Sequence, residues 1–470
     1  MQKVFAHCGA LDNRCYETYH LNEDILMEHA AIGMHNFITN KFKPPMSVLI
    51  VCGTGNNGAD GMALARLLHP QYQVKLYLPF GVKSDMAKLQ LKRVSSIGIK
   101  LIDEIEDATI VVDCLLGSGA KGELKIQYKQ VISQLNALNG YKIACDIPSG
   151  ISSSGNSLGE IFRADTTITM GGYKEALFLD ETKDFIGKII KVNLGVDGKF
   201  YETNTDTYLL EKHDLKLPLR HATSSHKGTF GHAVIFCGEK EGAGIISAEA
   251  AYRFGAGLTT LVVQEKISIP PHLMHAYKLP DNATAIGIGM GLGGHFEEVF
   301  LDKYIGSNTI ALVIDADALY SPKLLKLFMK TKKTIVMTPH PKEFIYMWRI
   351  LSGEEITLET LQSKRFEYAR KFSSLFPDII LLLKGANMII AFDNKLYINP
   401  IGSQNLSKGG SGDVLSGLIV ALLAQGYSGL DAAISSSLAL SLASRRFKGA
   451  NYAMSSLDII SQIGKLHKEF

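Results

Sequence analysis

The sequence predicts an α/β fold in two domains, and three observations carry that expectation. Apolar runs of strand length alternate with helical patterns almost from end to end, which implies parallel sheets covered by helices. Many of these runs stop at Gly, Asp or Pro, so polar loops gather at the carboxyl ends of strands, where such sheets bind ligands. Each half of the chain also has glycine-rich loops of its own, with no internal repeat. At 470 residues the chain is long enough for two or three separate cores.

The elements follow in order. A helix is expected over Asn22 to Phe37, with Ile25, Leu26, His29, Ile32 and Gly33 on one face. Strands are expected over Ser47 to Cys52, Gln73 to Leu78, Ile110 to Cys114 and Lys142 to Cys145 in the first half. In the second half they are expected over Ala233 to Cys237, Thr259 to Val263, Ile310 to Ile314, Thr334 to Met337 and Ile379 to Leu383. The polar stretch Asp197 to Ser225 interrupts the alternation and places a domain boundary near Lys212. An apolar helical run over Val414 to Ala424 closes the series.

Composition narrows the function. The net charge is only +3 and no long Lys/Arg block occurs, so no nucleic-acid partner is expected and small molecules are. Six cysteines lack paired spacing, and Cys52, Cys114, Cys145 and Cys237 end or nearly end apolar runs, as buried thiols in a reducing compartment do. The first residues show no basic segment followed by an apolar signal core, and the apolar run near Leu418 to Leu423 is far too short for a bilayer. A cytoplasmic protein without a membrane partner is expected.

The stretch Lys408-Gly409-Gly410-Ser411-Gly412-Asp413 opens the apolar helix at Val414. Glycines let backbone N–H groups approach an oxyanion, the helix N-terminus adds partial positive charge, and Asp413 is placed to take a proton from a hydroxyl facing that hole. The competing reading is a helix cap with an acidic first turn. In the first half, Gly53, Gly55 and Gly58 match the dinucleotide fingerprint, yet the second strand ends without the acidic residue that would hold a ribose. Asn56, Asn57 and Asp60 in the same loop suit a polar ligand or a cation held by oxygens. Asp113 and Asp146 end adjacent strands and converge on that loop, although each also fits a turn-closing role.

Asn56-Asn57-Gly58-Ala59-Asp60-Gly61, the Asp113 loop and Asp146-Ile147-Pro148-Ser149-Gly150 resemble the signature loops of the NAD(P)H-hydrate epimerase family over about residues 1 to 200. The resemblance implies a Rossmann-like three-layer αβα domain over residues 1–211, with potassium ligated by Asn57, Asp113 and Ser149. It implies substrate binding by Asn57, Gly58, Ala59, Asp60 and Gly61, by the loop Gly117, Ser118, Gly119, Ala120, Lys121, Gly122 and Glu123, and by Asp146, the acid/base candidate. Ala59 replaces a usual glycine and His29 a usual asparagine.

The second half resembles the ADP- or ATP-dependent NAD(P)H-hydrate dehydratase family over about residues 213 to 468. The motifs are Gly287 to Gly293, Asp315-Ala316-Asp317, Thr338 to Glu343, Lys384-Gly385-Ala386-Asn387 and the Gly-Ser-Gly-Asp loop. This implies a ribokinase-like α/β domain over residues 212–470. Lys384, Gly385, Ala386, Asn387, Met388 and Gly412 would bind nucleotide, and Gly257, Gly291, His340 and Asp413 would bind substrate. Asp413 would be the base and Glu343 would organise Mg2+. Met290 replaces a usual proline, His340 an asparagine, and Met388 stands where threonine is common. The expected substrates are the hydrates of NADH and NADPH, with ADP or ATP as phosphoryl donor, in a homo-oligomer. The competing reading is a small-molecule kinase fused to a nucleotide-binding scaffold domain.

Overall fold

The structure, a computed structural model, describes residues 1–120, 122–293, 310–329 and 333–469. The chain divides into two compact units, Lys3–Thr205 and Met1–Gln2 with Asp206–Phe470.

The first unit is built on β1 (Ser47–Cys52), β2 (Gln73–Tyr77), β3 (Lys100–Ile102), β4 (Ile110–Cys114), β5 (Tyr141–Cys145), β6 (Thr166–Met170) and β7 (Lys188–Val192). They form one parallel sheet in the order β3-β2-β1-β4-β5-β6-β7. Central strands covered on both faces read as near-continuous apolar runs, and Val48 to Cys52 and Ile110 to Cys114 are all fully buried, Asp113 being the one charged residue among them. Strand order reverses between β1 and β4, which leaves a crevice at their carboxyl ends.

Around the sheet lie α1 (Gly9–Tyr19), α2 (Glu23–Lys41), α3 (Asn56–Leu68), α4 (Asp85–Ser96) and α5 (Ile126–Ala137). α3 starts four residues after β1 and packs tightly on the sheet. A Cβ on its Gly61 would sit 2.7 Å from Cys52 Sγ and 2.8 Å from Cys114 Sγ, so only glycine fits. α2 begins where expected, with the Asn22 side chain accepting from Ile25 N at 3.1 Å. Its buried face differs from the expected one: Leu26, Met27, Ala30, Ala31, Met34 and Ile38 are buried, while Ile25 and Ile32 are 37% and 38% exposed. Two apolar stripes one residue apart, about 100° around the helix, were available, and the one with the small alanines packs closer.

The sheet of the second unit contains β8 (Thr207–Leu209), β9 (His232–Phe236), β10 (Leu258–Val262), β11 (Met274–Ala276), β12 (Ala285–Ile288), β13 (Ala311–Ile314), β14 (Ile335–Met337), β15 (Ile379–Leu383), β16 (Met388–Phe392) and β17 (Lys395–Asn399). Their order is β11-β10-β9-β12-β13-β14-β15-β16-β17-β8. Pairing is parallel except for β15–β16 and β16–β17. Several expected strands shift by one residue, as Thr259 to Val263 becomes Leu258–Val262.

Helices α6 (Glu241–Arg253), α7 (Pro322–Phe328), α8 (Pro341–Ser352), α9 (Arg365–Leu375), α10 (Ser411–Ala424), α11 (Gly429–Arg446) and α12 (Ser456–Ile463) belong to this unit. Val414 to Ala424 of α10 is buried on every side, because α6 and α11 flank it and the sheet lies beneath. Among the described residues no helix is long and apolar enough to cross a membrane.

Candidate active sites

The crevice of the first unit opens into a cavity of about 580 Å3. Its lining includes Asp12, Tyr16, Glu23, Asn56, Asn57, Asp60, Leu116, Gly117, Ser118, Gly119, Ala120, Asp146 and Met170. Asp146 directly follows β5 in a left-handed conformation, φ +66°, which a short polar side chain tolerates better than a branched one. Its Oδ1 accepts from Lys174 Nζ at 2.6 Å, Met170 N at 3.1 Å and Thr169 Oγ1 at 3.3 Å. Burial opposes the charge on Lys174, yet Asp146, Cys8 and Asp12 together hold its ammonium above the usual lysine range. Burial, followed by the charges of Asp146, Asp12 and Glu23, pushes the Asp60 carboxyl well above the usual carboxylate range.

Beside the cavity lies a polar cluster at the ends of β4 and β5. Asp113 is fully buried, and its carboxylate accepts from Leu115 N at 3.0 Å, Ser149 N at 2.8 Å and Ser149 Oγ at 2.7 Å. Ser149 Oγ in turn accepts from Leu116 N at 2.8 Å, and Asn57 Nδ2 donates to Leu116 O at 3.0 Å. Burial pushes Asp113 up to about 6 against these hydrogen bonds, and no basic side chain among the described residues offsets its charge. Oxygen donors around an uncompensated carboxylate suit a hard cation.

The expected residues of this unit separate into groups. Asn57, Asp60, Gly117 to Ala120 and Asp146 line the cavity. Gly58, Ala59 and Gly61 are buried in the packing of α3, and the Ala59 methyl joins the core. Asp113 and Ser149 lie in the adjoining cluster. Gly122 adopts φ +69° in the turn, the exposed Glu123 pairs with Lys129 at 2.6 Å, and Lys121 lies outside the described residues. His29 packs on Gly195. Sequence reasoning missed Lys174, Asp12 and Glu23; Gly171-Gly172 after the β-branched run Thr166 to Met170 was the one local signal for Lys174.

In the second unit the loops after β13, β14 and β15 converge on the start of α10. Lys384 Nζ lies 2.6 Å from Asp315 Oδ1 and 3.8 Å from Glu343 Oε2. Ser416 Oγ donates to Asp315 Oδ2 at 2.7 Å, so this buried carboxylate is bonded on both oxygens. Gly412 lies beside the pair, its missing Cβ 3.5 Å from Lys384 Nζ. Gly410 precedes α10 with φ +90°, and Ser247 Oγ holds the Asp413 carbonyl at 2.7 Å. Burial and then the Asp315 charge push Asp413 up to about 6, against the pull of Lys384. Burial pushes Glu343 up to about 7.

His340 caps α8: its Nδ1 accepts from Lys342 N at 3.1 Å and Glu343 N at 3.3 Å, while Glu343 Oε2 accepts from His340 N at 2.7 Å. Lys384 thus stands with Glu343, Asp315 and Gly412, and His340 joins them through Glu343. Gly385 and Ala386 are exposed, while Asn387 and Met388 are buried at the start of β16. Gly291 takes φ +65° after β12, and Met290 is fully buried in the core. Gly257 starts the approach to β10, with its N–H donating to Phe230 O at 3.0 Å. Sequence reasoning missed Arg365 of α9, whose buried guanidinium donates to the carbonyls of Leu383, Lys384 and Asn387 at 3.3, 3.1 and 3.3 Å.

Comparison with known proteins matches both units. Residues 233–465 match the family model described as NAD(P)H-hydrate dehydratase, and residues 23–176 match that of the YjeF-related protein N-terminus. The bifunctional NAD(P)H-hydrate repair enzyme of Helicobacter pylori is 39% identical over 477 residues, covering 99% of this chain and 100% of that protein. The enzyme of the same description from Dictyoglomus turgidum is 34% identical, covering 90% and 89%. A crystal structure of the ADP/ATP-dependent NAD(P)H-hydrate dehydratase from Bacillus subtilis, co-crystallised with ATP and Mg2+, is 23% identical with a TM-score of 0.46, covering 53% of this chain and 93% of that one. The chain belongs to the family of bifunctional NAD(P)H-hydrate repair enzymes.

Proposed function

We propose that this protein repairs the hydrates of NADH and NADPH: the first unit exchanges their R and S forms, and the second dehydrates the S form with ADP or ATP. The observation that carries the reading is the pairing of two sites in one chain, each presenting a strand-end or helix-start aspartate beside a lysine largely removed from water.

Epimer exchange opens a bond at the hydroxyl-bearing carbon and recloses it on the other face. Asp146 takes the hydroxyl proton and passes it to the ring nitrogen as the carbon–nitrogen bond opens; reclosure reverses the transfer. Gly117 to Ala120 line the same cavity, and a loop of such small residues suits close approach by the phosphates of the dinucleotide. Asn57, Asp113 and Ser149 would hold potassium, whose charge would offset the buried Asp113 carboxylate.

Hydroxide leaves poorly, so dehydration needs a better leaving group. Asp413 takes the hydroxyl proton as that oxygen attacks the terminal phosphorus, and AMP or ADP departs. The ring nitrogen then expels phosphate, and loss of a proton from the neighbouring carbon restores the double bond. The N-terminal N–H groups of α10 and the Lys384 ammonium stabilise the transferring group, while the Lys384 to Met388 segment binds nucleotide. Glu343, 3.8 Å from the Lys384 ammonium, would organise Mg2+, which would supply charge neutralisation on the phosphates. Six unpaired, buried cysteines fit a reducing, cytoplasmic setting.

The test supplies mixed hydrates with ADP, ATP or neither, and follows the reduced nicotinamide absorbance. Recovery that requires nucleotide and Mg2+, with release of inorganic phosphate, supports the reading. A stable phosphoester product would favour a small-molecule kinase instead.

A further inference from the structure

We propose that Lys174 is the positioning residue of the first site: its ammonium occupies Asp146 Oδ1 and leaves Oδ2 as the one oxygen that exchanges a proton with the hydrate. The proposal rests on the reading of Asp146 as the acid/base group.

Three donors converge on Oδ1, from Lys174 Nζ at 2.6 Å, Met170 N at 3.1 Å and Thr169 Oγ1 at 3.3 Å. Among the described residues no group bonds Oδ2, and Asp146 lines the cavity. A carboxylate free to rotate presents either oxygen to a ligand. Here the donors fix its torsion, and the unbonded oxygen is the one left for chemistry.

Lys174 cannot itself serve as the proton donor or nucleophile. It is only 4% exposed, and its Nζ also donates to Thr169 Oγ1 at 3.0 Å and to the carbonyls of Met170 and Gly172 at 3.0 and 3.3 Å. These contacts exceed the three protons of an ammonium, so every one is engaged. Its charge also bears on the site. Asp12, Glu23 and Asp60 share the cavity with Asp146, and among the described lining residues none is basic. Lys174 supplies the ammonium that Asp146 pairs with, at 2.6 Å.

The experiment measures R to S exchange without nucleotide, and ADP-dependent repair of purified S hydrate, in the full-length protein and its variants. Lys174→Met should lower exchange kcat by about 100-fold or more, with KM within about threefold, as loss of an oriented acid/base group does. Lys174→Arg keeps the charge and should retain at least about a tenth of the rate. Repair of the S hydrate should persist in both. A Lys174→Met protein with undiminished kcat would overturn the proposal, provided Asp146→Asn has lost exchange. If Asp146→Asn itself retains exchange, the underlying reading of Asp146 fails instead. Should Lys174→Met not fold, Thr169→Val removes a second Oδ1 donor: a several-fold fall in kcat at constant KM supports the proposal, and an unchanged kcat overturns it.

Discussion

Lys384 Nζ sits 2.6 Å from Asp315 Oδ1, although the two residues are 69 positions apart and leave the ends of different strands. Both are largely removed from water, with side chains 18% and 2% exposed. Truncating one partner therefore strands the other charge. Asp315→Ala also leaves Ser416 Oγ without its carboxylate, and loss of one member of a buried pair costs about 3–5 kcal/mol. The expected outcome is a lower unfolding midpoint for the full chain and a raised KM for nucleotide. Asp315→Asn keeps the shape and an acceptor oxygen, so its unfolding midpoint should fall less.

The pH dependence of dehydration should follow Asp413. Burial and the Asp315 charge raise its carboxyl to about 6, and a base acts only when ionised. The rate at limiting substrate should therefore fall about tenfold per pH unit below pH 6. Asp413→Asn should remove that limb and lower dehydration by roughly 10² to 10⁴, leaving R to S exchange in place. Stability runs the other way. With the folded pKa raised, the native state binds the proton more tightly than the unfolded chain between about pH 4 and pH 6, so this group's contribution falls as pH rises through that window. Asp413→Asn should accordingly raise the unfolding midpoint at pH 7 and change it little at pH 4.

Potassium should matter to the first unit for a reason visible in its hydrogen bonds. Asp113 has three donors but no basic partner among the described residues. Replacing potassium with a large organic cation should slow R to S exchange and lower the unfolding midpoint. Asp113→Asn removes the charge that calls for a cation, and its unfolding midpoint should no longer respond to potassium. An equal potassium response in wild type and variant would contradict the site.

Residues that end strands were legible in the sequence, because an apolar run stopping at a carboxylate announces a loop at the functional edge of a sheet. Asp113, Asp146 and Asp315 lie at such ends, and Lys384 ends the run Ile379–Leu383 in the same way with a cation. Partners joined only by tertiary contact were not legible. Lys174 meets Asp146 because the turn after β6 folds back on it, and Tyr201 reaches Asp12 at 2.7 Å across 189 positions. Periodicity also left α2 ambiguous, since two stripes of similar hydropathy differ by one residue and only packing chooses between them.

Arg365 gives the sharpest test of the loop that carries Lys384. It is 1% exposed, and three carbonyls of the segment from Leu383 to Asn387 accept from its Nη2. Burial lowers its pKa to about 10, which still leaves it charged at neutral pH. Arg365→Met fills much of the volume but leaves buried carbonyls unpaired, at about 1–3 kcal/mol for each group left unsatisfied. The segment should then loosen between two strands that remain paired. Nucleotide KM should rise by about tenfold or more, while R to S exchange, which uses no nucleotide, keeps its rate. Arg365→Lys retains charge but lacks the fork that reaches several carbonyls, so it should fall between the two. A nucleotide KM unchanged in Arg365→Met would show that these hydrogen bonds do not set the geometry of the loop.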